Sequence, residues 1–358
     1  MFEPNRFILC AMALTAIPVV AQETHMVTDR MGRNVELPVE VNRIVTDFMP
    51  LPSAWYISTG SGDEVVGMHP NSMRMAKRSI LGRIAPELLA AETGFTQGSS
   101  VNIEEVLRLA PDVFVTYETR QTIADVEKTG IPVLSLDVLS LDVLSQSKGN
   151  VFETYFGWTK LLGQIAGQQE RTDKIVAYAN DVLMHTRSHI AHLSEKERPG
   201  ALFFSRLGED NLKINGTGHF GHFWMTEGGN RNLAPEGIPP LADIDMEQVY
   251  ALNPEVIFIS NFSPAQPEDL YEKRITGPDW RHVSAVQNKR VYKVPEGIFQ
   301  WYPPSADAPL MLQWIAQVSH PKLFDDYVIE EVIRDYYARF YDFNLRDEDI
   351  AAILKPTH

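Results

Sequence analysis

A motif that occurs twice constrains the fold of this chain more than any other feature. Residues 103–116 read IEEVLRLAPDVFVT, and residues 246–259 read MEQVYALNPEVIFI. In each copy a short helix is expected to end before Pro111 or Pro254, because proline cannot continue it. A run of β-branched and aromatic residues follows and predicts a buried strand. The repeat therefore predicts an α/β fold with two similar lobes, each built on a parallel-type central sheet.

The other strand candidates fit the same plan. They are Arg43–Phe48, Glu64–Met68 and Pro132–Asp137 in the first lobe, and Ala201–Ser205, Asn211–Ile214 and Arg290–Val294 in the second. Short apolar runs of this kind, bounded by turn residues, are typical of strands in a covered sheet. We expect the first lobe to comprise residues 22–150 and the second lobe residues 195–358, which end in a helical tail from about residue 327.

The segment between the lobes, residues 151–194, contains no proline and carries apolar residues at helical spacing. This pattern predicts a helical spine with a break near Gly167. Its second helix, about Gln168–His192, would span about 37 Å at 1.5 Å per residue. That length is enough for a long rigid interdomain helix that runs along both lobes.

The first residues differ in character from the rest. Arg6 precedes the apolar run Phe7–Val20, and Val19–Ala21 offers small residues at a cleavage site, so residues 1–21 are predicted to be a secretory signal peptide. The only cysteine, Cys10, follows almost no apolar run, which argues against a lipid anchor. No later run of about 18 apolar residues appears, so we expect no direct membrane insertion. The predicted location is the periplasm.

The charge balance limits the partners. The net charge of −15 disfavours nucleic acid and anionic lipid surfaces, because the chain repels both. An anionic small molecule would need a local basic patch. We expect a monomer that binds no nucleic acid and has no resident cofactor.

Four ordered segments carry a family resemblance. They read VTDRMGRNVELPVEVNRIV (residues 27–45), NIEEVLRLAPDVFV (102–115), DIDMEQVYALNPEVIFI (243–259) and WRHVSAVQNKRVYKVP (280–295). Together with the proline-free spine, they resemble the substrate-binding proteins of ABC importers for iron–siderophore, haem and cobalamin complexes. The resemblance implies two α/β lobes joined by a rigid helix, with the ligand held in the cleft between them.

The resemblance also implies that one surface glutamate on each lobe docks the membrane permease through arginines. The corresponding positions are Glu104 and Glu247, which the internal repeat superposes. A structural role is an alternative, since acidic residues in the first turn stabilise a helix by up to about 1 kcal/mol.

The predicted cleft can be assembled from strand ends, because ligands of open α/β sheets bind beyond the carboxyl ends of the strands. The polar and aromatic side chains that follow the predicted strands are Asp47, Phe48, Met49, His69, Asn71, Tyr117, Arg120, Arg206, Asn261, Phe262, Phe299, Trp301 and Tyr302. This mixture of aromatic and polar groups suits a sizeable flat or chelated ligand.

The segment GTGHFGHFWMTEGGNRN (residues 216–232) contributes further candidates, His219, His222 and Trp224. Siderophore-binding relatives have an RFG run here, and His219 occupies the position of the arginine, which disfavours a highly charged catecholate complex. His219 is a candidate to ligate an incompletely coordinated metal or to donate a hydrogen bond to a chelator. The alternative is that one histidine caps a helix and the other packs in the core.

Two other groups complete the candidate site. Arg74, Lys77 and Arg78 lie on one predicted helical face, where they would attract an anionic chelate or simply form a solvated surface. Trp301 is a candidate to stack on a planar ligand, and the Tyr302 phenol is a donor suited to ferric iron in a chelate. Both aromatic residues would alternatively close the core of the second lobe.

We therefore expect the substrate-binding component of an ABC importer, which captures a metal chelate and delivers it to a permease. A ferric siderophore is the preferred ligand, with haem, cobalamin or a nickel or cobalt chelate as alternatives. A secreted metal-dependent enzyme that uses His219 and His222 with Asp243 is a rival interpretation, as is a chaperone of a free metal ion. The chain contains no HExxH, GxSxG or P-loop motif, so we expect a binder rather than an enzyme.

Overall fold

The computed structural model describes residues 23–97, 100–117, 120–136, 150–209, 211–277 and 279–357. The predicted signal peptide, residues 1–21, lies outside the described residues. Among the helices that the structure describes, none combines the length and the apolar character that a membrane span requires.

The described strands are β1 (Thr24–Thr28), β2 (Asn34–Pro38), β3 (Ile44–Thr46), β4 (Val65–Met68), β5 (Thr96–Gln97), β6 (Ser100–Val101), β7 (Val113–Thr116), β8 (Val133–Ser135), β9 (Gly200–Leu207), β10 (Leu212–Asn215), β11 (Arg231–Asn232), β12 (Leu241–Asp243), β13 (Val256–Ile259) and β14 (Val291–Lys293). The helices are α1 (Leu51–Thr59), α2 (Pro70–Arg78), α3 (Leu81–Ile84), α4 (Ile103–Leu109), α5 (Arg120–Glu127), α6 (Val151–Ile165), α7 (Gln169–Ile190), α8 (Phe220–Glu227), α9 (Met246–Leu252), α10 (Pro267–Tyr271), α11 (Ser284–Gln287), α12 (Ala308–Ser319), α13 (Ile329–Tyr341) and α14 (Asp347–Leu354). All six strand predictions outside the repeat are confirmed in position, with ends shifted by at most two residues. Asp137, where one of these predictions ends, lies outside the described residues.

Two sheets form the centres of the two lobes. The first has the order β4-β3-β7-β8 and is parallel throughout. The second has the order β12-β10-β9-β13-β14, with β11 also paired to β9, and it is mixed. The predicted α/β fold with two lobes is confirmed, although β10 and β12 pair antiparallel rather than parallel. The helix α1 separates β3 from β4 and permits a parallel crossover, whereas β9 ends at Leu207 and β10 begins at Leu212, too close in sequence for anything but an antiparallel pair.

The repeated motif has the same local structure in both lobes, as predicted. The side chain of Asn102 caps α4, and that of Asp245 caps α9. Each helix ends on a left-handed residue, Ala110 with φ 45° and Asn253 with φ 38°, directly before the proline. The strand that follows each proline is buried at every position. Both strands, β7 and β13, lie inside their sheets. The helices α4 and α9 that precede them therefore occupy corresponding positions in the two lobes.

The predicted spine is present as two packed helices, α6 and α7, with Gly167 in the left-handed region between them. The 22 residues of α7 span about 33 Å. Near its first turn, Arg171 donates hydrogen bonds to the Ile57 carbonyl of α1 and to the Phe340 carbonyl of α13. This end of α7 therefore ties the first lobe to the tail of the chain.

The helical tail is divided into α13 and α14, and it reaches further than the second lobe. Asp349 in α14 pairs with Arg83, which follows α2 in the first lobe. Glu296, which follows β14, pairs with Arg78 at 3.0 Å. One continuous apolar core also contains residues of both sheets and of the tail. Such extensive packing between the lobes restricts their relative motion to small displacements.

Candidate functional site

A cavity of about 770 Å³ lies at the carboxyl ends of the two sheets. The first lobe contributes residues that follow β3 and β4. The second lobe contributes residues of β9, β10 and β12, the residue before α8, and the segments after β13 and β14. The lining residues are Met49, Pro50, Asn71, Arg74, Met75, Arg78, Ser205, Arg206, Lys213, His219, Leu241, Phe262, Phe299, Gln300, Tyr302 and Pro303. The prediction that a cleft forms where the strands end is therefore confirmed.

The cavity wall is cationic. Arg74 and Arg78 face it from α2, and Arg206 and Lys213 face it from β9 and β10. Of the lining residues that the structure describes, none is acidic. The chain has 47 acidic residues and a net charge of −15, so the charge of the cavity wall is opposite in sign to that of the whole chain. The wall is suited to an anionic ligand.

Structural partners hold these cations in place. Arg78 pairs with the buried Glu296, and Lys213 Nζ lies 2.8 Å from Asp243 Oδ1. Arg206 donates to the Phe262 carbonyl, and Arg74 donates to the side chain of Asn71. Each cation thus retains further N–H groups for a ligand while one contact fixes its position.

His219 is the buried polar group at the second-lobe side of the cavity. It is the residue that precedes α8, and only 2% of its surface is exposed. Its Nδ1 lies 3.0 Å from the Tyr302 hydroxyl, and that hydroxyl lies 2.6 Å from Asn215 Oδ1. The amide of Asn215 is fixed in turn, because its Nδ2 donates to the Phe203 carbonyl and its Oδ1 accepts from the Gly221 N–H.

This chain of contacts determines the tautomer of His219. Since Asn215 Oδ1 can only accept, the Tyr302 hydroxyl donates to it and must accept from His219 Nδ1–H. His219 Nε2 is left with a lone pair, and it has no hydrogen-bond partner among the described residues. Burial lowers the pKa of His219 to about 4, so the ring is neutral at physiological pH. The cavity wall therefore presents a neutral nitrogen donor.

The remaining wall is apolar and aromatic. The rings of His219 and Tyr302 are stacked at 5.7 Å, and the Phe262 ring meets Tyr302 edge-on at 5.1 Å. Phe299 is 6% exposed and also lines the cavity. These contacts give the nitrogen donor a rigid support.

The structure brings five of the predicted ligand-binding residues to the cavity: Arg74, Arg78, His219, Phe299 and Tyr302. Seven others lie away from its wall, namely Asp47, His69, Tyr117, Arg120, His222, Trp224 and Trp301. Asp47 is buried and accepts from Thr116 Oγ1, and His69 caps α2 by accepting from the Asn71 N–H. Tyr117 packs near Phe48, and Arg120 begins α5 on the surface.

The two tryptophans and His222 have packing roles. Trp224 donates to the Tyr302 carbonyl, and Trp301 donates to Asp307 Oδ2, both from fully buried positions. His222 accepts from Asn232 Nδ2 at 3.1 Å, and burial lowers its pKa. The two imidazoles of the HxxH run therefore do not converge on one point. The packing alternative accounts for these three side chains.

Sequence reasoning missed Lys213. The strand that contains Lys213 was predicted. Successive side chains of a strand point to opposite faces, however, and the sequence did not show which face is directed toward the cleft. The register of β10 against β9 places Lys213 opposite Arg206, so the two cations lie side by side on the wall.

Both candidate docking residues are exposed. Glu104 and Glu247 each lie in the first turn of their helix, and neither forms an ion pair with another described residue. Each glutamate lies the same number of residues before the buried strand of its motif, β7 or β13, because the two copies match from the capping residue to the strand.

Two α/β lobes that share a cationic cleft at their strand ends, braced by a helical spine, define the solute-binding component of an ABC importer. The chain belongs to the periplasmic binding protein family, whose sequence profile matches residues 54–297. Members of this family are substrate-binding transport proteins, which confirms the prediction of a binder rather than an enzyme. It also confirms that the chain works with a membrane permease.

Individual relatives agree with this assignment. The chain is 26% identical to the molybdate-binding protein MolA of Haemophilus influenzae over 361 residues, which covers 96% of this chain and 98% of MolA. It resembles a periplasmic solute binding protein from Veillonella parvula at 29% identity and a TM-score of 0.83, over 93% of this chain and 97% of the other. The complex of Helicobacter pylori CeuE with Ni-His shares the fold, at 22% identity and a TM-score of 0.68, over 93% and 99% of the two chains.

Proposed function

We propose that the cleft captures an anionic transition-metal complex and that His219 Nε2 occupies an open coordination position of the metal. The observation that carries this proposal is the cavity wall itself, which has four cationic side chains, one neutral nitrogen donor and no acidic residue among the described lining residues. Cationic side chains attract the negative charge of the complex, and an imidazole nitrogen is a suitable ligand for its metal.

The lone pair of His219 distinguishes a metal complex from a simple anion. Oxygen atoms of a free anion are hydrogen-bond acceptors, so they would be repelled by a nitrogen that also presents a lone pair. Protonation of Nε2 would remove this repulsion, but the pKa of about 4 prevents it at neutral pH. A metal centre with an unfilled position turns the same lone pair into a bond.

The preferred ligand class is a ferric siderophore of incomplete denticity. A hexadentate chelator fills every position of iron and leaves none for His219, whereas a tetradentate chelator leaves two. The cavity of about 770 Å³ has the size of pockets that enclose drug-sized ligands. Haem, cobalamin and nickel or cobalt chelates are the alternative ligands, because each contains a metal that an imidazole nitrogen can bind.

Molybdate is a second candidate. The similarity to MolA extends over nearly the whole of both chains, and MolA binds molybdate. Arg74, Arg206 and Lys213 would contact its oxygens, and the protein would then use only part of the cavity.

Titration calorimetry on the purified protein tests this proposal with five ligands: a ferric bis-catecholate, a ferric tris-catecholate, haem, nickel–histidine and molybdate. Sulfate serves as a control anion without a transition metal. We expect the tetradentate ferric complex to bind at least tenfold more tightly than the hexadentate one, with a shift of its charge-transfer band. Tight molybdate binding with no chelate binding would establish the second candidate instead. Equal affinity for the two ferric complexes would contradict coordination by His219.

We further propose that Glu104 and Glu247 dock the permease. The support is their exposure, the absence of an ion pair with any described residue and their equivalent placement by the repeat. Reversing both to Arg should abolish uptake of the ligand by cells and leave ligand binding by the purified protein unchanged.

A matched control carries the same change of net charge at another surface. Asp173 and Asp181 are exposed on α7, so the double change Asp173→Arg and Asp181→Arg should leave uptake intact. Normal uptake by the Glu104→Arg, Glu247→Arg protein would reject the docking role. The melting temperatures of both double variants show whether a loss of uptake reflects lost docking or a less stable protein. An acidic residue in the first turn of a helix stabilises it by up to about 1 kcal/mol.

The domain organisation supports the same mechanism. We propose that residues 1–21 are a cleaved signal peptide, and that residues 22–150 and 195–358 form the lobes around the spine at residues 151–194. The mature protein would act as a monomer that changes shape only slightly on binding.

A further inference from the structure

We infer that this protein carries a second metal site, for a divalent ion such as Zn²⁺, formed by His185 and His189 near the end of α7 and by Asp326 in the segment between α12 and α13. One nitrogen from each imidazole and one carboxylate oxygen lie within 4.8 Å of one another. None of the three residues lines the cleft. This site is independent of the proposed ligand and of His219.

Helix geometry places the two imidazoles together. His185 and His189 are four residues apart on the last turns of α7, so they share one face of the helix. Their ring centroids are 4.2 Å apart. His185 Nε2 lies 2.8 Å from Asp326 Oδ2, so the carboxylate already lies against the imidazole pair.

A second set of contacts orients the ligands. His189 Nδ1 lies 2.9 Å from the main-chain carbonyl of His185. The carbonyl can only accept, so Nδ1 carries the proton and Nε2 keeps the lone pair that a metal requires. A hydrogen bond from the remote ring nitrogen to a carbonyl is the usual support of a metal-binding histidine.

The segment that carries Asp326 is anchored on both sides. Phe324 is fully buried with Ile190 and Ala316, and the Tyr327 hydroxyl donates to the Gln313 carbonyl at 2.8 Å. The Phe324 ring also lies 5.3 Å from the His189 ring. The carboxylate is therefore held beside the helix before any ion binds.

The donor set indicates the class of ion. Two imidazoles and one carboxylate suit Zn²⁺, Ni²⁺ or Co²⁺ and are poor ligands for Ca²⁺ or Mg²⁺. In a tetrahedral zinc site with bonds of about 2.0–2.1 Å, ligand atoms are about 3.4 Å apart. Small side-chain rotations would bring the three groups to that separation, because all three are partly exposed. A water molecule would complete the coordination.

A bound ion would connect α7 to the segment between α12 and α13. The spine would then be cross-linked to the second lobe near its far end, which would stabilise the arrangement of the two. The expected effect is a higher melting temperature at saturating metal, by about 5 °C for an ion present at 100 times its dissociation constant.

The test uses the full mature chain without a metal-binding affinity tag, after dialysis against a chelator. ZnCl₂ is titrated by calorimetry, Co²⁺ is followed by its visible absorption, and melting temperatures are measured with and without Zn²⁺. The variants are His189→Ala and Asp326→Asn. The controls are His192→Ala, which removes an exposed histidine next to the site, and His219→Ala, which removes the nitrogen donor of the cleft.

We expect one equivalent of Zn²⁺ to bind to the wild type, His192→Ala and His219→Ala proteins with equal affinity. His189→Ala should weaken binding at least tenfold and abolish the rise in melting temperature. Retained affinity in His189→Ala, or its loss in His219→Ala or His192→Ala, would overturn the assignment. Should His189→Ala fail to fold, the exposed Asp326→Asn change decides the question by the same criteria.

Discussion

Trp301 and Tyr302 are neighbours in the chain, yet their side chains belong to two different hydrogen-bond networks. Trp301 donates to Asp307 Oδ2, which also accepts from Tyr337 and from the Ile298 N–H, while Oδ1 accepts from Tyr341. Tyr302 instead connects Asn215 to His219 at the cleft. Both tyrosine and tryptophan side chains are fully buried, so burial alone does not distinguish the networks.

The difference lies in how each network ends. The Trp301 network closes on Asp307, whose carboxylate has four donors and lies wholly inside the second lobe. The Tyr302 network ends at His219, which lines the cavity and whose Nε2 has no partner among the described residues. A saturated network stabilises the fold, whereas one with an open end leaves a group for a ligand.

The largest expected effect is the loss of the saturated network. Asp307→Ala removes the acceptor of four donors in the core, and each unpaired donor carries a desolvation penalty. We expect the free energy of unfolding to fall by about 3–5 kcal/mol in chemical denaturation. Asp307→Asn keeps the volume and one acceptor, so it should lose less. A loss below about 1 kcal/mol for the alanine variant would show that the network does not stabilise the lobe.

The two networks should also give opposite pH dependence. Burial raises the pKa of Asp307 from 3.8 to about 6, so the folded protein holds this proton more tightly than the unfolded chain. The contribution is fully present below about pH 4 and is lost as the pH rises through about 6, a change of about 3 kcal/mol. The difference in unfolding free energy between wild type and Asp307→Asn should therefore decrease across this range.

His219 acts in the other direction. Burial lowers its pKa from 6.5 to about 4, so the unfolded chain binds the proton more tightly. Its contribution is present above about pH 6.5 and is lost as the pH falls through about 4, again by about 3 kcal/mol. The difference in unfolding free energy between wild type and His219→Gln should thus increase from pH 4 to pH 6.5. Parallel curves for the two variants would contradict the assigned burial of one group.

Ligand affinity should distinguish His219, at the open end of its network, from the other histidine of the HxxH run. His219→Gln removes the neutral donor of the cleft, and we expect the affinity for an anionic metal chelate to fall tenfold to a hundredfold, about 1.4–2.7 kcal/mol. His222→Gln changes the neighbouring histidine, which lies in α8 and outside the cavity wall, and the affinity of this variant should equal that of the wild type. Calorimetry with one chelate measures both. Equal losses in the two variants would indicate a general effect on α8.

The sequence predicted the architecture that holds the two networks but not the hydrogen-bond partners within them. The repeat, the spine and the strand ends followed from proline positions and hydrophobic periodicity, which depend on local chemistry. The direction of β10 was also accessible, since the short turn between the predicted strands at 201–205 and 211–214 favours a hairpin over a crossover.

The assignment of side chains to the cleft was less accessible. Trp301 and Tyr302 lie in an irregular segment without the periodicity of a helix or strand, so composition could not show which of them faces the cavity. The role of Trp301 depends on Asp307 and on Tyr337 and Tyr341 of α13, and only the folded chain brings these groups together. The tail, which the sequence assigned to the second lobe, packs there through Tyr337 and Tyr341, but it also contacts the first lobe through Asp349.

The smallest predicted effect concerns the hydroxyl of Tyr302. Tyr302→Phe keeps the ring but removes the acceptor of His219 Nδ1–H and the donor to Asn215, and we expect a loss of about 1 kcal/mol in unfolding free energy. Without that acceptor, the proton of His219 gains by moving to Nε2, where it faces the solvated cavity. The imidazole then donates instead of ligating.

This change should reverse the selectivity of the cleft rather than weaken it uniformly. We expect the affinity for a metal chelate with an open position to fall several-fold, and that for a simple oxyanion such as sulfate or molybdate to rise, because the oxygen atoms now meet an N–H. Calorimetry of both ligand classes on wild type and Tyr302→Phe measures the ratio. Loss of affinity for both classes in equal proportion would mean that Tyr302 supports the cavity wall without controlling the proton of His219.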